Sequence, residues 1–281
     1  MTRILVTGAT GNVSSQLIRD LSERGLQVRA FVRDRDRGRS VLGDDIELAV
    51  GDLSARETID AAMDGVAQVF LCTPNHPEQL ERECAVIDAA AAAGVRRIVK
   101  LSSVGATIGS PSKLWDCHAR IERHLLDSEV AASILRSSFF MSNVDVSAPT
   151  LFAPAAGARI AMVDTADVAA AAAAILADGG RETGVRDLTG PEALTFEDVA
   201  RTLSALTGHT VDFVAVPDDA AVGAMVAQGV PAWLAEGIAA NFALLREGVA
   251  ARTTTDVREL TGRDPRSFLA WAQARLVPVE A

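Results

Sequence analysis

Apolar runs of strand length alternate with amphipathic stretches through the first half of the chain. The apolar runs are rich in β-branched residues, and the stretches between them have helical spacing and end near glycines. Strands are predicted at Arg3–Thr7, Gln27–Val32, Ile46–Val50, Val66–Cys72, Arg96–Ser102 and Ala132–Arg136. Helices are predicted at Asn12–Glu23, Glu78–Ala93 and Leu114–Asp127, and a further helix begins near Ala55. This order predicts an α/β fold of the Rossmann type, a doubly wound parallel sheet with helices on both faces.

The alternation gives way to mostly helical patterns after about residue 140. Strands are predicted at Arg159–Val163, Val185–Leu188 and Val211–Val216, and helices at Ala221–Gln228, Pro231–Arg246 and Ser267–Arg275. Alanine-rich segments such as Ala169–Ala174 are interpreted as packed helix, because alanine has the highest helix propensity. We expect an NAD(P)-binding Rossmann domain over residues 1–150 and a smaller, mostly helical lobe over residues 151–281. The two are expected to be partly interleaved, with a strand or helix of the second half returning to the sheet.

Charge and composition narrow the class of partner. The net charge of −10 argues against nucleic acid or an anionic membrane. No signal peptide is evident, and the longest apolar run, Val168–Ala177, is too short to span a bilayer. The three cysteines form no CxxC pair, which favours a reducing cytoplasm, and the four histidines lack metal-ligand spacing. We therefore expect a cytoplasmic protein with a small-molecule substrate and no metal, and a homodimer is left open.

The first strand leads into a glycine turn, which is the first candidate site. Gly8 permits a tight turn, and Gly11 lets the backbone approach a pyrophosphate without a Cβ in the way. The helix that follows offers free N–H groups and a positive dipole to phosphates. The predicted cofactor residues at this turn are Gly8, Thr10, Gly11, Asn12 and Val13. Ser14 replaces the expected third glycine and is predicted to displace the helix slightly or weaken binding; a strand-to-helix turn without a ligand is the alternative.

The end of the second strand favours NADP(H) over NAD(H). An NAD enzyme usually places a carboxylate there, whereas this chain has Arg33, with Arg35, Arg37 and Arg39 following. A guanidinium group suits a 2′-phosphate because it combines charge with a bidentate fork. The alternatives are a solvated charged loop and an NAD role for Asp34.

Two further strand ends are predicted to contact the cofactor. Asp52 follows the third strand, where its carboxylate could accept a hydrogen bond from the adenine amino group. Thr73 and Pro74 end the fourth strand, near the expected position of the nicotinamide ribose.

Strings distributed over nearly the whole chain resemble one known family. They are Val6–Val13, Val32–Asp34, Val50–Leu53, Ala93–Val95, Leu101–Gly105, Leu135–Arg136, Phe139–Asn143, Val163–Asp164, Asp167–Ala169 and Leu188–Thr195. The chain resembles the NmrA-like group of atypical short-chain dehydrogenases/reductases, especially its NAD(P)H:quinone oxidoreductase-like branch. The resemblance implies a Rossmann domain, a smaller carboxy-terminal lobe and a substrate cleft between them. It leaves the chemistry open, because the group includes reductases of quinones and other conjugated carbonyls, pathway enzymes for aromatic compounds, and non-catalytic redox sensors.

The candidate catalytic residues follow from what is missing. Typical short-chain dehydrogenases use a Tyr–Lys pair, and this chain has no tyrosine. Counting back from Glu122, His118 takes the lysine position, where it could contact the nicotinamide ribose or supply a proton with a pKa near neutrality. The alternative is a half-buried histidine paired with Glu122. Ser102, at the end of the fifth strand, could orient a carbonyl and contact the cofactor, or could simply satisfy the strand end.

The residues after the sixth strand are predicted to line the nicotinamide and substrate pocket, with burial in the core as the alternative. They are Phe139, Phe140, Met141 and Asn143. Quinone reduction does not demand a strong general acid, because the hydroquinone anion is stabilised electronically. The predicted function is therefore hydride transfer from NAD(P)H to a quinone-like or conjugated carbonyl compound, and the alternative is an NADP(H)-binding redox sensor that acts through a protein partner.

Overall fold

The computed structural model of the chain describes residues 3–179 and 182–276. Its strands are β1 Arg3–Val6, β2 Gln27–Val32, β3 Glu47–Val50, β4 Val66–Leu71, β5 Arg97–Ser103, β6 Ala131–Ser137, β7 Thr150–Ala153, β8 Gly184–Leu188 and β9 Asp212–Ala215. Its helices are α1 Asn12–Glu23, α2 Arg35–Leu42, α3 Arg56–Ala62, α4 Gln79–Ala92, α5 Lys113–Leu126, α6 Thr165–Ala177, α7 Phe196–Thr207, α8 Asp218–Ala227, α9 Ala232–Arg246, α10 Asp256–Thr261 and α11 Phe268–Leu276. A 3-10 turn covers Met141–Asn143.

Seven of the strands form one sheet in the order β3-β2-β1-β4-β5-β6-β8. The pairs β1–β2, β2–β3, β1–β4 and β4–β5 are parallel. The predicted Rossmann-type fold is thus confirmed. The strand order reverses between β1 and β4, and ligands of open α/β sheets bind beyond the carboxyl ends of the strands at such a switch point.

The chain divides into two compact units. The first comprises the described residues of Met1–Ile108, Cys117–Arg136 and Val168–Arg186, and the second those of Gly109–Asp116, Ser137–Asp167 and Asp187–Ala281. β8, from the second half of the chain, is the last strand of the seven-stranded sheet. The second unit contains a two-stranded parallel sheet of β7 and β9. Sequence patterns did not predict β7.

Buried polar side chains attach α6 to the sheet within the first unit. Arg97 of β5 donates to the carbonyl oxygen of Ile175 at 2.8 Å, and Gln68 of β4 donates to that of Leu176 at 2.9 Å. The last carbonyls of a helix have no partner inside the helix, so such donors satisfy them. Arg97 also pairs with Asp178 at 3.0 Å, although its side chain is 2% exposed. This polar layer lies on the same two strands whose opposite ends carry candidate site residues.

The predicted strand Arg159–Val163 is wrong. The segment makes only isolated bridges, which pair Ile160 with Leu194 and Val163 with Phe140. Its backbone groups bond to different segments in turn, so no ladder forms along any one partner. The arginine-rich segment after β2 was not predicted as a helix, but it forms α2.

Candidate functional site

The glycine turn joins the ends of β1 and β4. Gly8 has φ of +56°, and a Cβ added there would lie 2.5 Å from the carbonyl oxygen of Cys72. The position therefore excludes every residue except glycine, both by conformation and by space. Thr7 donates its hydroxyl to the same Cys72 oxygen at 2.8 Å, which closes the two strand ends against each other.

The amino terminus of α1 lies directly behind this turn. Its N-cap, Gly11, provides no side-chain hydrogen bond, and the first turn contains no acidic residue. The first N–H groups of a helix and its positive dipole end attract anions when no side chain caps them. Asn12 is exposed and Thr10 is half-buried, whereas Val13 is packed into the core. The turn therefore offers its backbone N–H groups to a ligand, and the Val13 side chain does not take part.

Ser14, which replaces the expected third glycine, is buried against the end of β1. Its side chain is 1% exposed, and its hydroxyl donates to the carbonyl oxygen of Thr7 at 3.1 Å. The serine in place of the third glycine therefore bonds α1 to the end of β1.

Two of the residues after β2, Asp34 and Arg39, hold local structure in place. Asp34 is the N-cap of α2 and accepts a hydrogen bond from the backbone N–H of Arg37 at 2.9 Å. Arg39 donates to the carbonyl oxygens of Asp44 and Ile46, which ties the end of α2 to the start of β3.

The other three arginines of the segment, Arg33, Arg35 and Arg37, are exposed. Within the part of the chain that the structure describes, no hydrogen bond or ion pair holds their side chains. Arg33, at the very end of β2, is therefore free to contact a ligand at the carboxyl edge of the sheet.

Asp52 is held as an ionised acceptor at the end of β3. Its Oδ1 accepts from both the backbone N–H and the hydroxyl of Ser54, each at 2.8 Å. These hydrogen bonds are the main cause that lowers the pKa of Asp52, and the charges of Arg82 and Arg33 lower it further. A hydrogen-bonded carboxylate suits the predicted contact with an amino group.

Thr73 lies after β4, where it leads into a buried network. Its hydroxyl donates to Oε1 of Glu83 on α4 at 2.6 Å, and Gln79 donates to the same oxygen at 3.0 Å. Oε2 of Glu83 pairs with Nζ of Lys100 on β5 at 2.8 Å, and both charged side chains are 0% exposed. Pro74, the neighbouring predicted residue, is exposed.

His118 is half-buried on α5, and its partner is Lys100 rather than Glu122. The Nδ1 atom of His118 lies 3.4 Å from Nζ of Lys100. Burial, and secondly the Lys100 charge, lower the pKa of His118 well below 6.5. The expected pKa near neutrality is therefore not found, and the imidazole is neutral at pH 7.

Ser102 and Glu122 form a second buried cluster. The Ser102 hydroxyl donates to Oε1 of Glu122 at 2.5 Å. Arg136 of β6 donates to both oxygens of Glu122, at 3.0 and 2.5 Å. A serine hydroxyl has one proton, so this arrangement leaves Ser102 as an acceptor toward any ligand.

The predicted substrate residues lie in the second unit. Phe139 packs against Phe196 and Phe242, with ring centroids 6.1 and 5.9 Å apart. Met141 is 1% exposed, so its side chain belongs to the core of that unit. Phe140 is half-buried, and Asn143 is exposed. Of these four residues, Asn143 has the side chain most accessible to a ligand.

Sequence reasoning missed Lys100 and Glu83 as parts of the site. A signal was present, because Lys100 interrupts an apolar strand that a parallel sheet buries on both faces. Glu83 gave no comparable signal within the alanine-rich helix α4, because a charged residue there fits an exposed face equally well. Only the fold shows that the two charges meet.

Other kinds of site find no support in the described ranges. Residues 3–179 and 182–276 contain no group of histidines, cysteines and carboxylates that could hold a metal. No helix in the same ranges is long and apolar enough to cross a membrane. Burial raises the pKa of the Cys72 and Cys84 thiols to about 11, so neither is a thiolate nucleophile at neutral pH.

Comparison with known proteins defines the class of protein. The model of the NmrA-like family matches residues 1–268, and the chain belongs to this family. An NAD(P)H azoreductase of Xenophilus azovorans is 33% identical over 277 residues, which cover 96% of this chain and 97% of that protein. The (4-alkanoyl-5-oxo-2,5-dihydrofuran-3-yl)methyl phosphate reductase of Streptomyces griseus subsp. griseus is 36% identical over 276 residues, with 96% of each chain covered.

A solved structure agrees with these relatives. The NADPH-dependent quinone oxidoreductase of Escherichia coli, complexed with NADPH, superposes with a TM-score of 0.89 and 26% sequence identity. The match covers 98% of this chain and 100% of that one. The resemblance stated from the sequence motifs is thereby confirmed.

Proposed function

We propose that this chain is an NADPH-dependent reductase that transfers hydride to a quinone-like or conjugated carbonyl acceptor. The observation that carries the proposal is the uncapped amino terminus of α1 behind Gly8, with the unpartnered Arg33 at the end of β2. An uncapped helix terminus binds a pyrophosphate, and a free guanidinium group binds a 2′-phosphate.

The residues present fit the dinucleotide at each point. The turn from Gly8 to Gly11 would hold the pyrophosphate, Arg33 the 2′-phosphate, and Asp52 the adenine amino group. Thr73 and Pro74, which follow β4, would contact the nicotinamide ribose. NADPH supplies hydride when it is bound, and the protein orients it and its acceptor.

The side chains near the strand ends favour an acceptor that needs little proton transfer from the protein. Ser102 has its proton directed at Glu122, and His118 is neutral at pH 7. A conjugated acceptor spreads the charge left by hydride addition, so water can supply the proton. The names of the three proteins compared above fit this class, since azo compounds, quinones and an unsaturated oxo-dihydrofuran are all conjugated acceptors.

The substrate residues are part of the same proposal. We propose that Asn143 contacts the acceptor, that Phe139 and Phe140 shape the surface around it, and that the buried Met141 supports this surface from the core. Replacing Asn143 with Ala should raise KM for the acceptor and leave the dissociation constant of NADPH unchanged. An equal change in both constants would count against a substrate role.

The test follows NADPH oxidation with a panel of benzoquinones, naphthoquinones and unsaturated lactones, with NADH as comparison. Turnover should prefer NADPH. Arg33→Ala should weaken NADPH binding by about 10-fold or more, the value of one charge-assisted contact, while NADH binding stays the same. Arg19→Ala, which removes an exposed charge from α1, is the matched control.

Two other results would redirect the proposal. Tight NADPH binding without turnover on any acceptor would favour the redox-sensor alternative, and the absence of binding would refute the dinucleotide site.

A further inference from the structure

One chain of hydrogen bonds and ion pairs connects four elements of the first unit. Thr73 after β4 donates to Glu83 of α4, Glu83 pairs with Lys100 of β5, and Lys100 contacts His118 of α5. The two central charges are completely buried, whereas Thr73 and His118 at the ends are partly accessible. The chain of contacts therefore runs through the core between two accessible residues.

Three acceptor atoms surround the ammonium group of Lys100. An ammonium group has three N–H donors and no acceptor. Nζ lies 2.8 Å from Oε2 of Glu83, 2.5 Å from the carbonyl oxygen of Leu101 and 3.4 Å from Nδ1 of His118. Because Lys100 can only donate, Nδ1 of His118 must carry the lone pair. The ring proton is then on Nε2.

The outer nitrogen of His118 has no partner of its own. Among the described residues, none forms a hydrogen bond with Nε2. The atom is not one of the fully buried polar atoms without a partner, so it is accessible to solvent. The neutral imidazole therefore presents an N–H group that remains for a ligand or for water.

Stability alone does not account for the buried pair of Lys100 and Glu83. Removing two charges from water costs several kcal/mol per ion, and replacing such a pair by apolar residues is often neutral or stabilising. The best-supported role of a buried ion pair is to select one arrangement of the neighbouring groups. Here the neighbour with a choice of arrangements is His118, which has two tautomers.

We infer that Lys100 is a positioning residue that holds His118 as the Nε2–H tautomer, so that His118 donates this proton in a hydrogen bond to an oxygen of the bound cofactor or acceptor. The inference rests on the proposed reductase function. No proton is transferred in this step, because the imidazole stays neutral and acts only as a donor. The lowered pKa of His118 agrees with a neutral donor.

The titratable groups on the Nδ1 side of the ring belong to this cluster. Lys100 faces Nδ1 from β5, Glu83 lies behind it on α4, and the Cys72 thiol interacts with both charges. Burial and the positive charge of Lys100 both disfavour an imidazolium at this position.

The tautomer is measured first, by long-range proton–nitrogen NMR of the protein labelled with 15N-histidine, with His118 assigned from its loss in His118→Asn. At pH 7 the wild-type ring should be the neutral Nε2–H form alone. An Nδ1–H form or an imidazolium would overturn the inference. This measurement needs no catalytic turnover, so it stands apart from the proposed function.

The second measurement uses the double variant Lys100→Met/Glu83→Gln, which removes both buried charges and leaves neither unpaired. His118 should then show a mixture of tautomers, and kcat with the best quinone should fall in proportion to the Nε2–H form that is lost, by about twofold for an even mixture. An unchanged tautomer and an unchanged kcat would refute the positioning role.

Single variants of His118 separate the two faces of the ring. His118→Asn keeps an acceptor near the Nδ1 position but lacks the outer donor altogether, so it should lose about 10-fold in activity, more than the double variant. A rise in the dissociation constant of NADPH would identify the cofactor as the ligand, and a fall in kcat alone would identify the acceptor. His124→Asn, on the same helix at the surface, is the control and should match the wild type. Full activity in His118→Asn would overturn the inference.

Discussion

The hydroxyl of Ser102 donates to Oε1 of Glu122 at 2.5 Å, and Arg136 holds both oxygens of the same carboxylate. This contact determines how Ser102 can act. Its single proton is directed at Glu122, inside a cluster that joins β5, α5 and β6.

We therefore predict that Ser102→Ala affects stability more than chemistry. Removing a donor from a buried carboxylate should lower the free energy of unfolding by about 1–3 kcal/mol. The value of kcat/KM should change by less than about threefold, because no donor toward the acceptor is lost. Urea unfolding and NADPH oxidation measure the two effects. Ser103→Ala is the control, and a large fall in kcat at full stability would restore Ser102 as a catalytic residue.

Gly8→Ala should destroy the cofactor site. Alanine at φ of +56° is strained, and its Cβ would lie 2.5 Å from the Cys72 carbonyl oxygen, so the turn must shift. NADPH binding, measured by fluorescence or calorimetry, should be lost or weakened by more than about 100-fold. Gly25→Ala is the matched control, because Gly25 has φ of +72° with no atom within 4 Å of the added Cβ. That control should lose about 1 kcal/mol of stability and bind NADPH normally.

Asp34→Ala tests the alternative in which Asp34 serves NAD. The carboxylate caps α2, so its loss should reduce the free energy of unfolding by about 1 kcal/mol. The ratio of NADPH to NADH affinity should stay the same. A comparable loss is expected from Thr195→Ala, which removes the N-cap of α7. A selective loss of NADH binding in Asp34→Ala alone would show that the carboxylate contacts the ribose.

The first half of the fold was predictable because each strand and helix has its own periodicity of hydrophobic residues. The bounds of α1 and β2 agree with the prediction residue for residue. The failed strand Arg159–Val163 shows the limit of the method. That segment is apolar and β-branched like a strand, but its partners are scattered along the chain, and no local pattern records them.

The candidate site was predictable where it depends on one segment, as at Gly8 and Gly11. It was not predictable where two distant residues decide the chemistry. His118 was identified from its position, but its partner is Lys100 rather than Glu122, and the fold alone brings that charge to the ring. Burial, and secondly the Lys100 charge, lower the pKa of His118 well below 6.5, whereas the sequence predicted a pKa near neutrality.

His118 should make stability depend on pH. Its folded-state pKa lies below the unfolded value, so the unfolded chain binds more protons at acidic pH. The wild type should therefore lose stability progressively as pH falls below about 6.5. Above that pH, His118 should cause no loss of stability. The physical cause is burial together with the Lys100 ammonium, since an imidazolium at this position would be desolvated and repelled.

The measurement compares wild type with His118→Asn by urea unfolding between pH 5 and 8, a range set by the usual histidine pKa of about 6.5. Asparagine does not titrate, so the free energy of unfolding of the variant should rise relative to that of the wild type as pH falls. His209→Asn, which removes an exposed histidine from the turn after α7, is the control. A constant difference over the whole range would mean that His118 titrates alike in both states, and that Lys100 does not act on it.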